Sequence, residues 1–127
     1  MRVYFDTTNI IYLVEQVVPY AASIRARLSV PGAKIVLSDL TWMECLVKPL
    51  RTGNAILLAE YHLAFSKAEV IHMVPAVFDK AAEIRASFNF KTPDSLHLAA
   101  AVIHGCDVFY THDHRLGKYT GITVEVL

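Results

Sequence analysis

Three short apolar runs constrain this chain more than any other feature. Val3-Tyr4-Phe5, Ile35-Val36-Leu37 and Val108-Phe109-Tyr110 are β-rich and show no polar alternation. A strand of that kind is buried on both faces, as at the centre of a parallel sheet. The stretches between the runs have helical spacing, so strands alternate with helices and the sheet is covered on both sides. The expected class is α/β: a three-layer α/β/α sandwich around a mainly parallel sheet of four to five strands.

The punctuation residues predict the remaining elements. A short helix over 9–15 is ended or redirected by Pro19, a second helix covers 20–28, and Pro31-Gly32 turns the chain. A helix from about Ser38 ends at Pro49, and Gly53-Asn54 starts another over 55–67. Residues 70–74 form a short strand, and Pro75 opens a helix to Phe88. Thr92-Pro93-Asp94 then opens a helix that runs to His104, with Thr92 as the capping residue and Gly105 as the stop. A helical turn over 112–118 and a strand over 123–126 close the chain. The helix over 55–67 is apolar nearly all round, which requires full burial or a partner chain. Leu58 and Tyr61 are its expected contact residues.

At 127 residues the chain makes one domain, 1–127, able to bury roughly two-thirds of its unfolded surface. Its longest apolar run, 98–103, falls far short of the ~20 residues of a membrane span. Asp6 and Glu15 interrupt any leader-like segment, and Cys45 and Cys106 make neither a disulfide framework nor a zinc pattern. A reduced, cytoplasmic protein is expected. Twelve basic and twelve acidic residues cancel, which speaks against a protein that coats nucleic acid. An enzyme that meets nucleic acid through a local patch stays open.

The acids fall at element ends. Asp6 follows the first strand, Glu44 lies in the first turns of the helix after the second, Asp94 opens a helix, and Asp113 follows the strand ending at Thr111. In a parallel sheet these ends share one edge, the edge that carries ligands. Each acid also has a local role open to it. Asp6 and Asp113 can cap the turns they begin, Glu44 can close a capping box with Thr41, and Asp94 can complement a helix dipole. Four anions gathered without a counter-ion are costly, and a hard divalent cation held by oxygens, Mg²⁺ or Mn²⁺, removes that cost. Such a centre suits hydrolysis of phosphodiesters or phosphomonoesters. No G-x-S-x-G elbow, P-loop or dinucleotide fingerprint occurs. Positive charge for a phosphate substrate is available at Lys48, Arg51, Arg115 and Lys118. His97 and His104 lie seven apart on one helix with Cys106 beyond, and a packed or surface role fits them better than zinc.

Phe5-Asp6-Thr7, Asn9-Ile10-Ile11-Tyr12, Ser38 with Glu44, the run Thr92-Pro93-Asp94-Ser95-Leu96-His97-Leu98-Ala99-Ala100-Ala101 and Val108-Phe109-Tyr110-Thr111-His112-Asp113 together resemble PIN-domain ribonucleases. The small size most resembles VapC-type toxins of toxin–antitoxin pairs. The resemblance implies that Asp6 and Asp94 are the principal ligands of Mg²⁺ or Mn²⁺. It implies that Asp113 helps hold this metal or a second one, that Glu44 positions water, and that Thr111 lies at the site's edge. It further implies RNA cleavage, a homodimer and a cognate antitoxin. Asn9 departs from the pattern, standing where a small or apolar residue is usual. Two rival functions stay open: a catalytically silent PIN-like module that binds RNA or protein, and a small phosphatase with Asp6 as nucleophile. The second lacks the acid two positions after Asp6, where Thr8 stands.

Overall fold

The computed structural model describes residues 1–127. Strand β1 (Arg2–Phe5) lies in the middle of a five-stranded sheet, with β2 (Lys34–Ser38) and β3 (Glu69–Ile71) on one side. On its other side are β4 (Val108–Thr111) and β5 (Thr123–Val126), and every pairing is parallel. The missing alternation in the sequence has its cause here. Tyr4, Val36 and Phe109 enter one core, while Val3, Phe5, Leu37, Val108 and Tyr110 enter a second core on the opposite face.

Helices α1 (Thr7–Val14), α2 (Tyr20–Leu28), α3 (Asp39–Thr52) and α4 (Ala55–Ser66) cover the second core. Helices α5 (Pro75–Phe88) and α6 (Thr92–Ile103) cover the first. The three-layer α/β/α sandwich is therefore present, with the sheet wholly parallel. No helix is long and apolar enough to cross a membrane.

Several boundaries differ from expectation. Helix α1 starts at Thr7 because Asp6 itself is the N-cap, its side chain accepting from Thr7 N. Helix α3 runs through Pro49 to Thr52. The buried Pro49 supplies no N–H of its own but does not end the helix, which stops at Gly53, whose φ of 65° is left-handed. Strand β3 ends at Ile71, since the Asp39 carboxylate takes the His72 ring and the Met73 N–H. Thr92 is the first residue of α6 rather than its cap; Lys91 holds the cap position and makes no side-chain bond there. The helix buried nearly all round is α6, with Leu98, Ala99, Ala100 and Ala101 fully enclosed. Helix α4 instead turns Leu57, Tyr61 and Phe65 inward and leaves Ile56 and Leu63 exposed. Tyr61, expected at the surface, is thus buried, its hydroxyl donating to Glu15.

Candidate active site

The sheet order reverses at β1, so the crevice beyond the carboxyl ends of β1 and β4 is the natural ligand site. Four elements deliver a carboxylate there. Asp6 follows β1, Glu44 projects from α3, Asp94 opens α6 and Asp113 follows β4. All four line one open cleft of about 700 Å³, the size of a small-ligand site, together with Thr7, His97, His112 and Arg115.

Each carboxylate is held differently. Asp6 Oδ1 caps α1 through Thr7 N (2.8 Å), and Oδ2 accepts from Thr111 Oγ1 (2.7 Å). The capping role and the place in the cleft coexist in one side chain. Asp113 caps the short 3-10 turn His114–Lys118 and is gripped by the Arg115 guanidinium (2.5 Å), which holds its carboxyl below the usual range. Asp94 accepts no hydrogen bond and meets only Arg115 Nη2, 3.8 Å away. Burial raises its pKa, and the charges of Asp6 and Asp113 raise it further.

Glu44 takes no part in a capping box. That box is closed by Ser38 and Thr41. Glu44 Oε1 instead accepts from Thr7 Oγ1 (2.6 Å) and bonds His97 Nε2 (2.6 Å). Burial works to raise the Glu44 carboxyl, but the hydrogen bond from His97, aided by that from Thr7, holds it below the usual range. His97 is only 2% exposed and does not meet His104, which bonds the carbonyl of His72. Its part in the cleft had one signal in the sequence. It is the polar residue in an apolar run, one helical turn beyond Asp94.

Of the other expected contacts, Arg115 lines the cleft, and Thr111 stands behind it on Asp6. Lys48 and Arg51 do not line it, and Lys48 pairs with Glu15 (2.5 Å).

The donors offered to a ligand are carboxylates, with hydroxyls behind them. That set fits a hard divalent cation. Such an ion would also relieve the like-charge strain at Asp94. No three acidic or imidazole side chains stand in ligand geometry here, and Arg115 serves as counter-ion to Asp113 and Asp94.

The PIN-domain family model matches residues 3–122. The chain belongs to the PIN-domain family. A comparison with curated proteins found no match. Among solved structures, this PIN domain is similar to VapBC2 of Rickettsia felis bound to a fragment of promoter DNA. The TM-score is 0.83 at 13% identity, over 100% of this chain and 99% of that one. It is also similar to the DNA-bound VapBC of Salmonella typhimurium (TM-score 0.77, 20% identity, 99% and 98% covered). A third similar structure is VapC20 of Mycobacterium tuberculosis, a toxin that cleaves the sarcin-ricin loop (TM-score 0.72, 13% identity, 95% and 98% covered). At these identities the likeness establishes the fold.

Proposed function

We propose that this PIN domain is a divalent-metal-dependent endoribonuclease, the toxin of a type II toxin–antitoxin pair that acts in the cytoplasm. The observation that carries this is the meeting of Asp6, Glu44, Asp94 and Asp113 in one cleft at the ligand-bearing edge of the sheet. Asp6 and Asp94 would be the principal ligands of Mg²⁺ or Mn²⁺, with Asp113 completing that set or holding a second ion. When bound, the cation neutralises charge that builds on a phosphate under attack. Thr111 donates to Asp6 Oδ2 and so steadies this carboxylate in the cleft wall. Glu44, ionised and open to the cleft, would orient the attacking water and take its proton.

Arg115, 60% exposed and bound only to carboxylates, would turn to the RNA phosphate once a cation replaces it on Asp113. Lys48 and Arg51 would meet RNA only beyond the cleft. Val47, Leu50, Ile56 and Leu63 leave apolar surface on α3 and α4 for the antitoxin or a second copy of this chain. The similar structures of VapBC complexes support a protein partner of the antitoxin kind.

The test is cleavage of a pool of structured RNAs with Mg²⁺, Mn²⁺ or EDTA, beside Asp6→Asn. Discrete products that need metal and vanish in the variant are expected. Cleavage that survives both EDTA and Asp6→Asn would overturn the proposal. In the partner arm, Ile56→Glu with Leu63→Glu should weaken self-association or antitoxin capture while leaving cleavage unchanged. Unaltered sedimentation and capture would remove this surface from the account.

A further inference from the structure

We propose that Tyr4 and His97 form a buried orienting pair that pins Oε1 of Glu44 and leaves Oε2 as the oxygen that works in the cleft. This rests on the reading of the cleft given above, and it makes His97 and Tyr4 positioning residues.

The chain of contacts begins inside the protein. Ser38, Thr41 and Tyr4 are fully buried, and the Tyr4 hydroxyl stands 2.7 Å from Ser38 Oγ and 2.7 Å from His97 Nδ1. The other ring nitrogen, Nε2, lies 2.6 Å from Glu44 Oε1 and 3.1 Å from Thr7 Oγ1. Thr7 Oγ1 donates to the same Oε1 (2.6 Å). An ionised carboxylate only accepts, so Nε2 must carry a proton toward Glu44. The hydroxyl sequence can run from Ser38 through Tyr4 to Nδ1 or in the opposite direction, and Nε2–H is required in both.

Two consequences follow for Glu44. Oε1 receives two donors, from the first residue of α1 and from an α6 residue, which fixes the carboxylate plane between two elements. Oε2 receives none, and Glu44 lines the open cleft, so Oε2 is the atom free to bind water. The arrangement is the base-and-orienter logic of hydrolytic triads, with an imidazole holding a carboxylate. Mere packing does not call for it. Position 97 is followed by the buried Leu98, Ala99 and Ala100, yet it carries a polar ring that reaches the Tyr4 hydroxyl on one side and the Glu44 carboxylate on the other. The buried contacts lead from the sheet interior to Glu44, at the cleft wall.

Tyr4→Phe tests this with little risk to the fold, because the ring keeps its stack on Phe109 (centroids 5.5 Å, 11° between planes). Imidazole ¹⁵N NMR reads the pin without any substrate. The expected result is a His97 with Nε2 protonated, whose Nδ1 resonance moves in Tyr4→Phe and whose Nε2–H resonance moves in Glu44→Ala. A His97 with bare Nε2 overturns the proposal. In RNA cleavage, Tyr4→Phe should lower kcat about tenfold at unchanged KM. Adding it to Glu44→Gln should cost nothing more than Glu44→Gln alone, which loses about a hundredfold or more. Additive losses, or a change in KM alone, also overturn it. If no RNA is cleaved while the NMR result holds, the ribonuclease reading fails and the pin stands. If cleavage is metal-dependent while Nε2 is bare, the reverse is true.

Discussion

The two edges of the sheet use the same residue types to opposite ends. At the amino edge, every acid that faces the sheet has a partner. Arg2 bonds both oxygens of Glu69 (2.8 and 2.6 Å) and the carbonyl of His104 (2.6 Å), while Asp107 receives Arg2 N (2.7 Å). At the carboxyl edge one guanidinium serves two of the four acids, Asp113 and Asp94, and Asp94 accepts no hydrogen bond. A carboxylate kept for stability is matched by a donor at folding. Asp94 keeps unfilled lone pairs beside the charges of Asp6 and Asp113, a repulsion that Arg115 and His97 offset only in part. The amino edge is a clasp, and the carboxyl edge is a socket.

The largest expected effects break the socket. Asp94→Asn should lower metal-dependent cleavage at least about a hundredfold, while raising Tm in metal-free buffer. The sign follows from the raised pKa of Asp94, caused by burial and then by Asp6 and Asp113. An acid raised by the fold stabilises it most below its unfolded value, and that contribution is lost as pH rises through the folded value. The Tm gain of Asp94→Asn should therefore be full at neutral pH and shrink as the buffer is acidified. Calorimetry from pH 3 to 7 checks it, on the order of the usual carboxyl range. A variant less stable than the parent at neutral pH would contradict the description of the socket.

Breaking the clasp should give the inverse pattern. Arg2→Ala should cost stability by about 1 kcal/mol, a modest figure because the Glu69 side chain is 45% exposed and screened by solvent. Cleavage should be unchanged at temperatures where the variant is folded. Chemical denaturation beside an activity assay separates the two.

A smaller change sharpens the comparison. Arg115→Ala removes the one guanidinium from the socket. Apparent KM for RNA should rise about three- to tenfold, with a shallower salt dependence, and metal should bind more tightly because no cation competes for Asp113. A KM that is unchanged across salt would limit Arg115 to its cap contact.

Much of this is legible in the sequence. Unalternated runs at Val3, Ile35 and Val108 mark central strands, and acids placed just after strand ends or in the first turns of helices mark the shared edge. Local signals decided less well where tertiary burial competes with them. Pro49 reads as a stop, yet α3 runs through it, with the ring buried, to Thr52. Thr41 and Glu44 have capping-box spacing, yet Ser38 is near enough to take Thr41, which frees Glu44 for Thr7 and His97. The apolar helix α4 gave no sign of which side was inner, because its apolar residues leave no polar face to orient it. His97 was visible only as an out-of-place polar residue, since its partners Tyr4 and Glu44 are 93 and 53 positions away. Asn9 remains without a physical account: it is fully buried, and neither amide atom has a partner.

The most direct test of the socket is Mn²⁺ binding and RNA cleavage measured on the same samples of the parent, Asp94→Asn and Arg2→Ala. Mn²⁺ titration followed by electron paramagnetic resonance gives the first quantity, and product formation gives the second. The expected result is that Asp94→Asn loses both together, while Arg2→Ala keeps both and loses only stability. Cleavage that persists in Asp94→Asn, or Mn²⁺ that binds the parent and Asp94→Asn equally, would contradict the assignment of the four-carboxylate cleft as the catalytic centre.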